Sequence, residues 1–126
     1  MLSEIVENES ASPVGGHYSA SCTANGFVYI SGQLPITHTG EVLAQETFAV
    51  QVNQVLVNLD ACLEGAGVSR ERLVNVRVYI TDMAQWPEFN RMYSEWIGRN
   101  RPSRAVAGVA ELHYGSALEV EAVAAI

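Results

Sequence analysis

One arginine of this chain stands where it needs an anion. Arg104 ends a proline-containing turn, residues 101–104, and opens the apolar run 105–110, which we predict to be a buried strand. Arginine is rarely buried without a charged partner, so this position calls for a carboxylate. The carboxylate belongs either to a structural acid such as Glu119 or Glu121, or to a small substrate. A planar guanidinium grips a carboxylate through two parallel hydrogen bonds.

Two glutamates alternate on the predicted last strand. Glu119 and Glu121 are two residues apart, so their side chains share one face of that strand, and their neighbours are apolar. Apolar surroundings raise the pKa of a carboxyl group, which can then exchange protons with water. Alternatively, this face is solvated or pairs with an arginine. A hairpin at residues 114–115 places Glu119 opposite about Val109, so the spacing does not predict that Glu119 lies beside Arg104.

Three further polar residues have both a structural and a functional interpretation. Asn90 lies on the apolar face of a predicted helix, between Trp86 and Tyr93. A buried amide must be hydrogen-bonded, so Asn90 either contacts a substrate or braces the loop before the arginine. Tyr18 and Ser31 lie at opposite ends of the predicted first hairpin, and each is equally typical of a packing or turn residue.

The histidines and cysteines predict no metal site. His17, His38 and His113 are scattered over predicted loops and strand ends, and no pair has the spacing of metal ligands. Cys22 and Cys62 show no ligand spacing either, and both are interpreted as small apolar residues.

The composition excludes several classes of function. The 126 residues, 48% of them hydrophobic, fit one globular domain over residues 1–126, with residues 1–12 as a loose arm. A formal net charge of -7 disfavours nucleic acids and anionic membranes as partners. No run approaches the roughly 20 apolar residues of a membrane helix, and no signal-peptide core is seen. We therefore expect a reducing, cytoplasmic location.

All seven basic residues are arginines. Without lysine, the chain offers neither a Schiff base to pyridoxal phosphate nor the lysine of a Walker-type phosphate loop. Chemistry that depends on a lysine of this chain is excluded.

The elements that position these residues follow the order ββαβαββ. Two helices are predicted from their apolar spacing, over residues 47–66 and from Asp82 to Gly98. Together with a mixed sheet they give an α+β sandwich whose second face stays open. Small apolar residues are available there, so we expect other subunits to cover this face. Those residues are Ala105, Ala107, Val109 and Ala122, and the predicted strands are 17–22, 27–30, 73–80, 104–111 and 118–125.

Six motifs occur in the order typical of one known family. Together they cover nearly the whole chain from about residue 13, and they resemble the Rid (reactive intermediate deaminase) family, also called YjgF-like or L-PSP endoribonuclease-like. The motifs are GHYS at 16–19, FVYISGQLP at 27–35, VYITDM at 78–83, FNRMY at 89–93, PSR at 102–104 and EVEAVA at 119–124.

The resemblance implies a fold, an assembly and an activity. The fold is chorismate-mutase-like, with two helices on one face of a mixed sheet, and three chains form a barrel with clefts between subunits. The implied activity is hydrolysis of 2-imino and 2-enamino acids to 2-oxo acids and ammonia, as in 2-iminobutanoate/2-iminopropanoate deaminases. No cofactor is implied.

The resemblance also implies roles for matching residues. Arg104 grips the substrate carboxylate, and Glu119 positions or activates the attacking water. The other implied cleft residues are Tyr18, Ser31, Gly32, Asn90 and, through its backbone, Val106.

Four positions depart from the family's usual residues around the cleft, namely His17, Ala20, Val106 and His113. Because of these changes, the resemblance does not identify the substrate. The alternatives are a 2-aminomuconate-type deaminase and a trimer that binds a small metabolite without turnover. The ribonuclease activity in one family name is disfavoured by the acidic charge.

Overall fold

The computed structural model describes residues 4–126, in which six strands form one mixed sheet ordered β1-β2-β3-β6-β4-β5. Neighbouring strands are antiparallel except for the parallel pair β4 and β5. Two helices, α1 and α2, pack on one face, so the predicted α+β architecture is confirmed. The elements are β1 (Val6–Asn8), β2 (Ser21–Ala24), β3 (Phe27–Gln33), α1 (Phe48–Gly65), β4 (Leu73–Ile80), α2 (Trp86–Ile97), β5 (Ser103–Gly108) and β6 (Leu118–Ala125).

Both helices begin and end at local signals. The Thr47 side chain accepts a hydrogen bond of 3.3 Å from the Val50 amide and caps α1. Asp82 caps a short 3₁₀ turn immediately before α2, and Pro87 occupies the first turn of that helix. Gly98 follows α2 with φ 70°, a conformation that glycine adopts easily. Among residues 4–126, neither helix is long and apolar enough to cross a membrane.

Part of the predicted loose arm is ordered. Residues Val6–Asn8 pair with β2 at the edge of the sheet, and the Asn8 amide donates to the hydroxyls of Ser21 and Thr23 at 3.1 and 2.9 Å. The prediction of a loose arm is therefore wrong for this strand, because cross-strand hydrogen bonds fix a segment too short to show alternation. For residues 1–3 the prediction lies outside the described residues.

The segment after β1 crosses the end of α1 at Gly65. A Cβ atom at this position would overlap the carbonyl oxygen of Glu9. Although alanine favours a helix more than glycine does, we expect Gly65→Ala to lower the free energy of unfolding by about 1–3 kcal/mol, the usual range for overpacking. Urea unfolding measures this change. The neighbouring exposed Glu64→Ala serves as the control, and a stabilised Gly65→Ala variant would contradict the close approach.

The last two strands do not form the predicted hairpin. Because α2 connects β4 to β5 as a crossover, β5 lies parallel to β4 at the sheet edge, and β6 inserts between β3 and β4. Glu119 therefore pairs in register with Tyr79, and its predicted place opposite Val109 is wrong.

The open face differs from the prediction at one residue. Ala105 and Ala107 are exposed there, whereas Ala122 pairs in register with the buried Val76 and lies in the core under the helices. Burial alternates along β6, and the half-buried Glu119 and Glu121 share one face, as predicted. That face is the open one.

Candidate functional site

The predicted site residues form two groups on opposite faces of the sheet. Arg104 pairs in register with the buried Val76, so its side chain leaves β5 on the helix face. Glu119 pairs with Tyr79, whose side chain lies on the other face, and β4 separates the two strands. The two groups do not meet within one chain.

The first group holds the arginine on α2. The Cζ atom of Arg104 lies 4.8 Å from the ring centroid of Trp86 and 4.9 Å from that of Tyr93. The Nη1 atom donates a 3.1 Å hydrogen bond to Oδ1 of Asn90. The three helical residues are four and three positions apart, so they share one face of α2. We call Trp86, Asn90 and Tyr93 the arginine cradle.

Arg104 has no carboxylate partner among residues 4–126. The ion pairs there join Arg70 to Asp60 and Arg91 to Glu95. The alternative that Glu119 or Glu121 pairs with Arg104 in the same chain is therefore wrong. Arg104 is an exposed residue, and its guanidinium donates one hydrogen bond, to an uncharged amide, so donors remain for an outside anion.

Val106 lies two residues beyond Arg104 on the same face and is half-buried. Its strand, β5, pairs with β4 and is the sheet edge. The prediction of a buried strand here is wrong, because an edge strand has a neighbour on one side only and the other residues of β5 are exposed. An edge strand presents backbone groups without partners on its outer side. Backbone donors are therefore available beside the guanidinium.

The second group surrounds the carboxyl group of Glu119. Strand β3 changes register against β6 between Ile30 and Gln33, and this irregularity includes Ser31 and Gly32. The Glu119 carboxyl group lies against Gly32 so closely that a Cβ atom there would overlap it. Any larger residue at this position would therefore displace the Glu119 carboxyl group.

Ser31 ties the preceding segment to this group. Its hydroxyl donates to the carbonyl of Ser19 at 2.7 Å, and Tyr18 borders the same open cavity of about 660 Å³. Tyr18 remains 52% exposed, and its hydroxyl accepts a 3.3 Å hydrogen bond from the Gly15 amide. This cavity is also lined by Glu7, His17, Cys22, Tyr29 and Glu121.

The surroundings of Glu119 raise the pKa of its carboxyl group. Burial raises its pKa above the ordinary value, the nearby charge of His113 lowers it, and the Glu121 carboxylate raises it. Tyr79 donates a 2.5 Å hydrogen bond to Glu121, which raises the pKa of the Tyr79 hydroxyl. A carboxylate with a raised pKa is a better proton acceptor from water than an ordinary one.

A larger cavity, of about 900 Å³, lies at the ends of the two helices and includes none of the predicted site residues. There Asp60 accepts hydrogen bonds from Arg70 and from the Trp96 indole, and the guanidinium lies 4.9 Å above that ring. Because these polar groups satisfy one another, we interpret this cluster as structural.

The sequence did not reveal the cradle. Trp86 and Tyr93 have the spacing of an apolar helix face, which core packing explains equally well. One pattern in the sequence could have indicated it: Asn90 lies between two aromatic residues at helical spacing, and Arg104 follows on the next strand.

The chain is similar to known proteins over nearly its whole length. The profile of the family described as Endoribonuclease L-PSP matches residues 9–126. A RutC family protein of Aquifex aeolicus is 40% identical over 126 residues, 98% of each chain. Protein MMF1, mitochondrial, of Saccharomyces cerevisiae is 34% identical over 119 residues, 94% of this chain and 81% of the other.

A solved structure has the same fold throughout. YyfA of Yersinia pestis, described as a protein of unknown function of the conserved Rid family, superposes with a TM-score of 0.93 at 31% identity. The alignment covers 98% of this chain and 100% of that one. The chain thus belongs to the Endoribonuclease L-PSP family, also called Rid or YjgF-like, which its motifs resemble.

Proposed function

We propose that this protein hydrolyses reactive 2-imino and 2-enamino acids to 2-oxo acids and ammonia, at sites formed between the subunits of a homotrimer. One observation carries the proposal. Arg104, which has no acid partner among residues 4–126, and Glu119, whose pKa is raised by burial, lie on opposite faces of one sheet, where only separate chains can combine them.

The two groups supply what imine hydrolysis requires. Arg104 binds the substrate carboxylate, and backbone groups near Val106 hold the same end of the substrate. Glu119 of another subunit orients a water molecule and accepts its proton as the oxygen attacks the C=N carbon. This proton passes to nitrogen and gives a carbinolamine. The hydroxyl proton of the carbinolamine then also passes to nitrogen through Glu119, the C–N bond breaks, and ammonia leaves as the C=O bond forms. A positioned acid–base group contributes about 10²–10⁴-fold.

The open sheet face supports an assembly. Tyr29 on β3 is 50% exposed there, and Ala105 and Ala107 are exposed on β5, with β6 and β4 between them. Apolar surface of this kind marks contact sites between proteins. Size-exclusion chromatography with light scattering tests the trimer, and a monomeric yet fully active protein would contradict the shared site.

The charges around Tyr18 favour monocarboxylate substrates over the 2-aminomuconate alternative. Glu7 and Glu121 line the cavity beside Tyr18 and Ser31. A second carboxylate on the substrate would meet two negative charges there, which costs binding free energy. The net charge of -7 likewise disfavours RNA as a substrate.

A coupled assay tests the activity. An amino-acid oxidase generates the imine in place, and 2-oxo acid formation is followed with and without the protein. Trapping of residual imine as its semicarbazone provides a second readout. Acceleration on 2-iminopropanoate or 2-iminobutanoate supports the proposal. If no imino acid is hydrolysed faster, a binding role without turnover replaces it.

The acid limb of the pH profile is expected to follow Glu119. If its carboxylate accepts a proton from water, kcat falls as the pH drops through its raised pKa, above the usual value of about 4.3. Glu121→Gln removes a charge that raises this pKa, so the limb should move to lower pH. Glu64→Gln, far from the site on α1, is the control. If the acid limb of the kcat profile of Glu121→Gln stays at the wild-type pH, a group other than Glu119 causes that limb.

We place this reaction in a reducing compartment, the cytoplasm. Cys22 and Cys62 are free cysteines, as is usual where thiols stay reduced. Microscopy of the full chain fused to a fluorescent protein tests the location.

A further inference from the structure

We propose that Trp86 and Tyr93 are positioning residues that fix the plane of the Arg104 guanidinium, so that only its edge is presented to a ligand carboxylate. This inference rests on the proposed function for its substrate, and it adds two residues whose role acts through the arginine. It predicts that the ring faces, rather than any polar atom of these residues, determine how well a carboxylate is bound.

The distances support a stacked arrangement. Both ring centroids lie within 5 Å of Cζ, at 4.8 Å for Trp86 and 4.9 Å for Tyr93. An aromatic ring attracts a cation at its face and also stacks on the flat guanidinium. The hydrogen bond from Nη1 to Asn90 then limits rotation within that plane. An otherwise exposed, flexible side chain is thereby held in one orientation before the ligand arrives.

The core anchors the two rings. Phe89 is fully buried and stacks on both, with centroids 6.1 Å from Trp86 and 5.7 Å from Tyr93. Tyr93 is itself only 5% exposed. Buried side chains in close packing keep single rotamers, so the cradle is rigid although the arginine is at the surface.

The Tyr93 hydroxyl provides the matched control. It is buried and has no hydrogen-bond partner among the described residues, 4–126. Replacing tyrosine by phenylalanine therefore removes no hydrogen bond seen in this chain and keeps the ring face. Replacing it by leucine keeps an apolar side chain of similar burial and removes the ring.

Steady-state kinetics separate positioning from folding. We expect Tyr93→Leu and Trp86→Leu each to raise KM for the imino acid about tenfold, or about 1.4 kcal/mol, with a smaller change in kcat. Tyr93→Phe should keep KM within about twofold, because the cation–ring contact persists. Circular dichroism and thermal unfolding confirm that the variants fold. Folded leucine variants with unchanged KM would overturn the inference.

Fluorescence tests the same geometry without turnover. The chain has two tryptophans, so in a Trp96→Phe background Trp86 is the only one, and excitation at wavelengths that tyrosine does not absorb selects its emission. Pyruvate should change that emission saturably, whereas methyl pyruvate, which lacks the carboxylate, should not. Arg104→Ala in this background should abolish the response. No response to pyruvate in a protein that keeps Arg104 would count against the cradle even if a leucine variant failed to fold.

The two experiments distinguish the two proposals. A protein without deaminase activity that still shows the Arg104-dependent response to pyruvate supports the cradle and refutes the proposed reaction. An active deaminase whose folded leucine variants behave as wild type refutes the cradle alone.

Discussion

Arg104→Ala is expected to lower kcat/KM for imine hydrolysis by a large factor while leaving the fold and assembly intact. The arginine has no acid partner among residues 4–126, so its removal strands no buried charge in this chain. Losing one partner of a charge-assisted pair with the substrate costs about 2–5 kcal/mol, which is roughly 30- to 5,000-fold in kcat/KM. The coupled imine assay and size-exclusion chromatography measure both parts of this result.

Two variants control this prediction. Arg101→Ala removes an exposed arginine three residues away and should leave kcat/KM within about twofold. Arg104→Lys keeps the charge but loses the planar fork and its stacking on the cradle, so we expect most of the activity to be lost. Full activity in Arg104→Ala would remove the arginine from the site.

Mixing two inactive variants is expected to restore activity. Glu119→Gln should lower kcat by about 10²–10⁴-fold with little effect on carboxylate binding, since the arginine remains. In a complex that contains both Glu119→Gln and Arg104→Ala chains, one interface can combine the intact arginine of one chain with the intact glutamate of the other. Random assembly of equal amounts gives roughly a quarter of the sites intact.

A double variant makes the mixing experiment decisive. Arg104→Ala chains mixed with Arg104→Ala/Glu119→Gln chains contain no intact arginine and should stay inactive. Native mass spectrometry verifies that the chains have mixed. If verified mixed complexes of the single variants remain inactive, the site does not combine Arg104 and Glu119 from different subunits.

Local patterns in the sequence were sufficient for most of the secondary structure. The apolar spacing over residues 47–66 placed α1 within a residue at each end. Gly98 marked the end of α2, and alternation marked β4 and β6. These signals are local because helix periodicity and caps depend on neighbours within one or two turns.

Long-range pairing was not predictable in the same way. Strand β1 is three residues long, and its stability comes from β2, more than ten residues further along the chain. The hairpin assumption for β5 and β6 failed because sequence neighbours need not be sheet neighbours, and α2 forces a parallel crossover.

The sequence by itself determined which groups are available for chemistry. It supplied one arginine at the start of an apolar strand, two alternating glutamates, no lysine and a set of family motifs. Only the tertiary structure decided that Arg104 and Glu119 lie on opposite faces, because register with β4 sets the direction of both side chains. It also decided that the partners of Arg104 within its own chain are aromatic rings and not an acid. The rings of α2 reach Arg104 only in the folded protein.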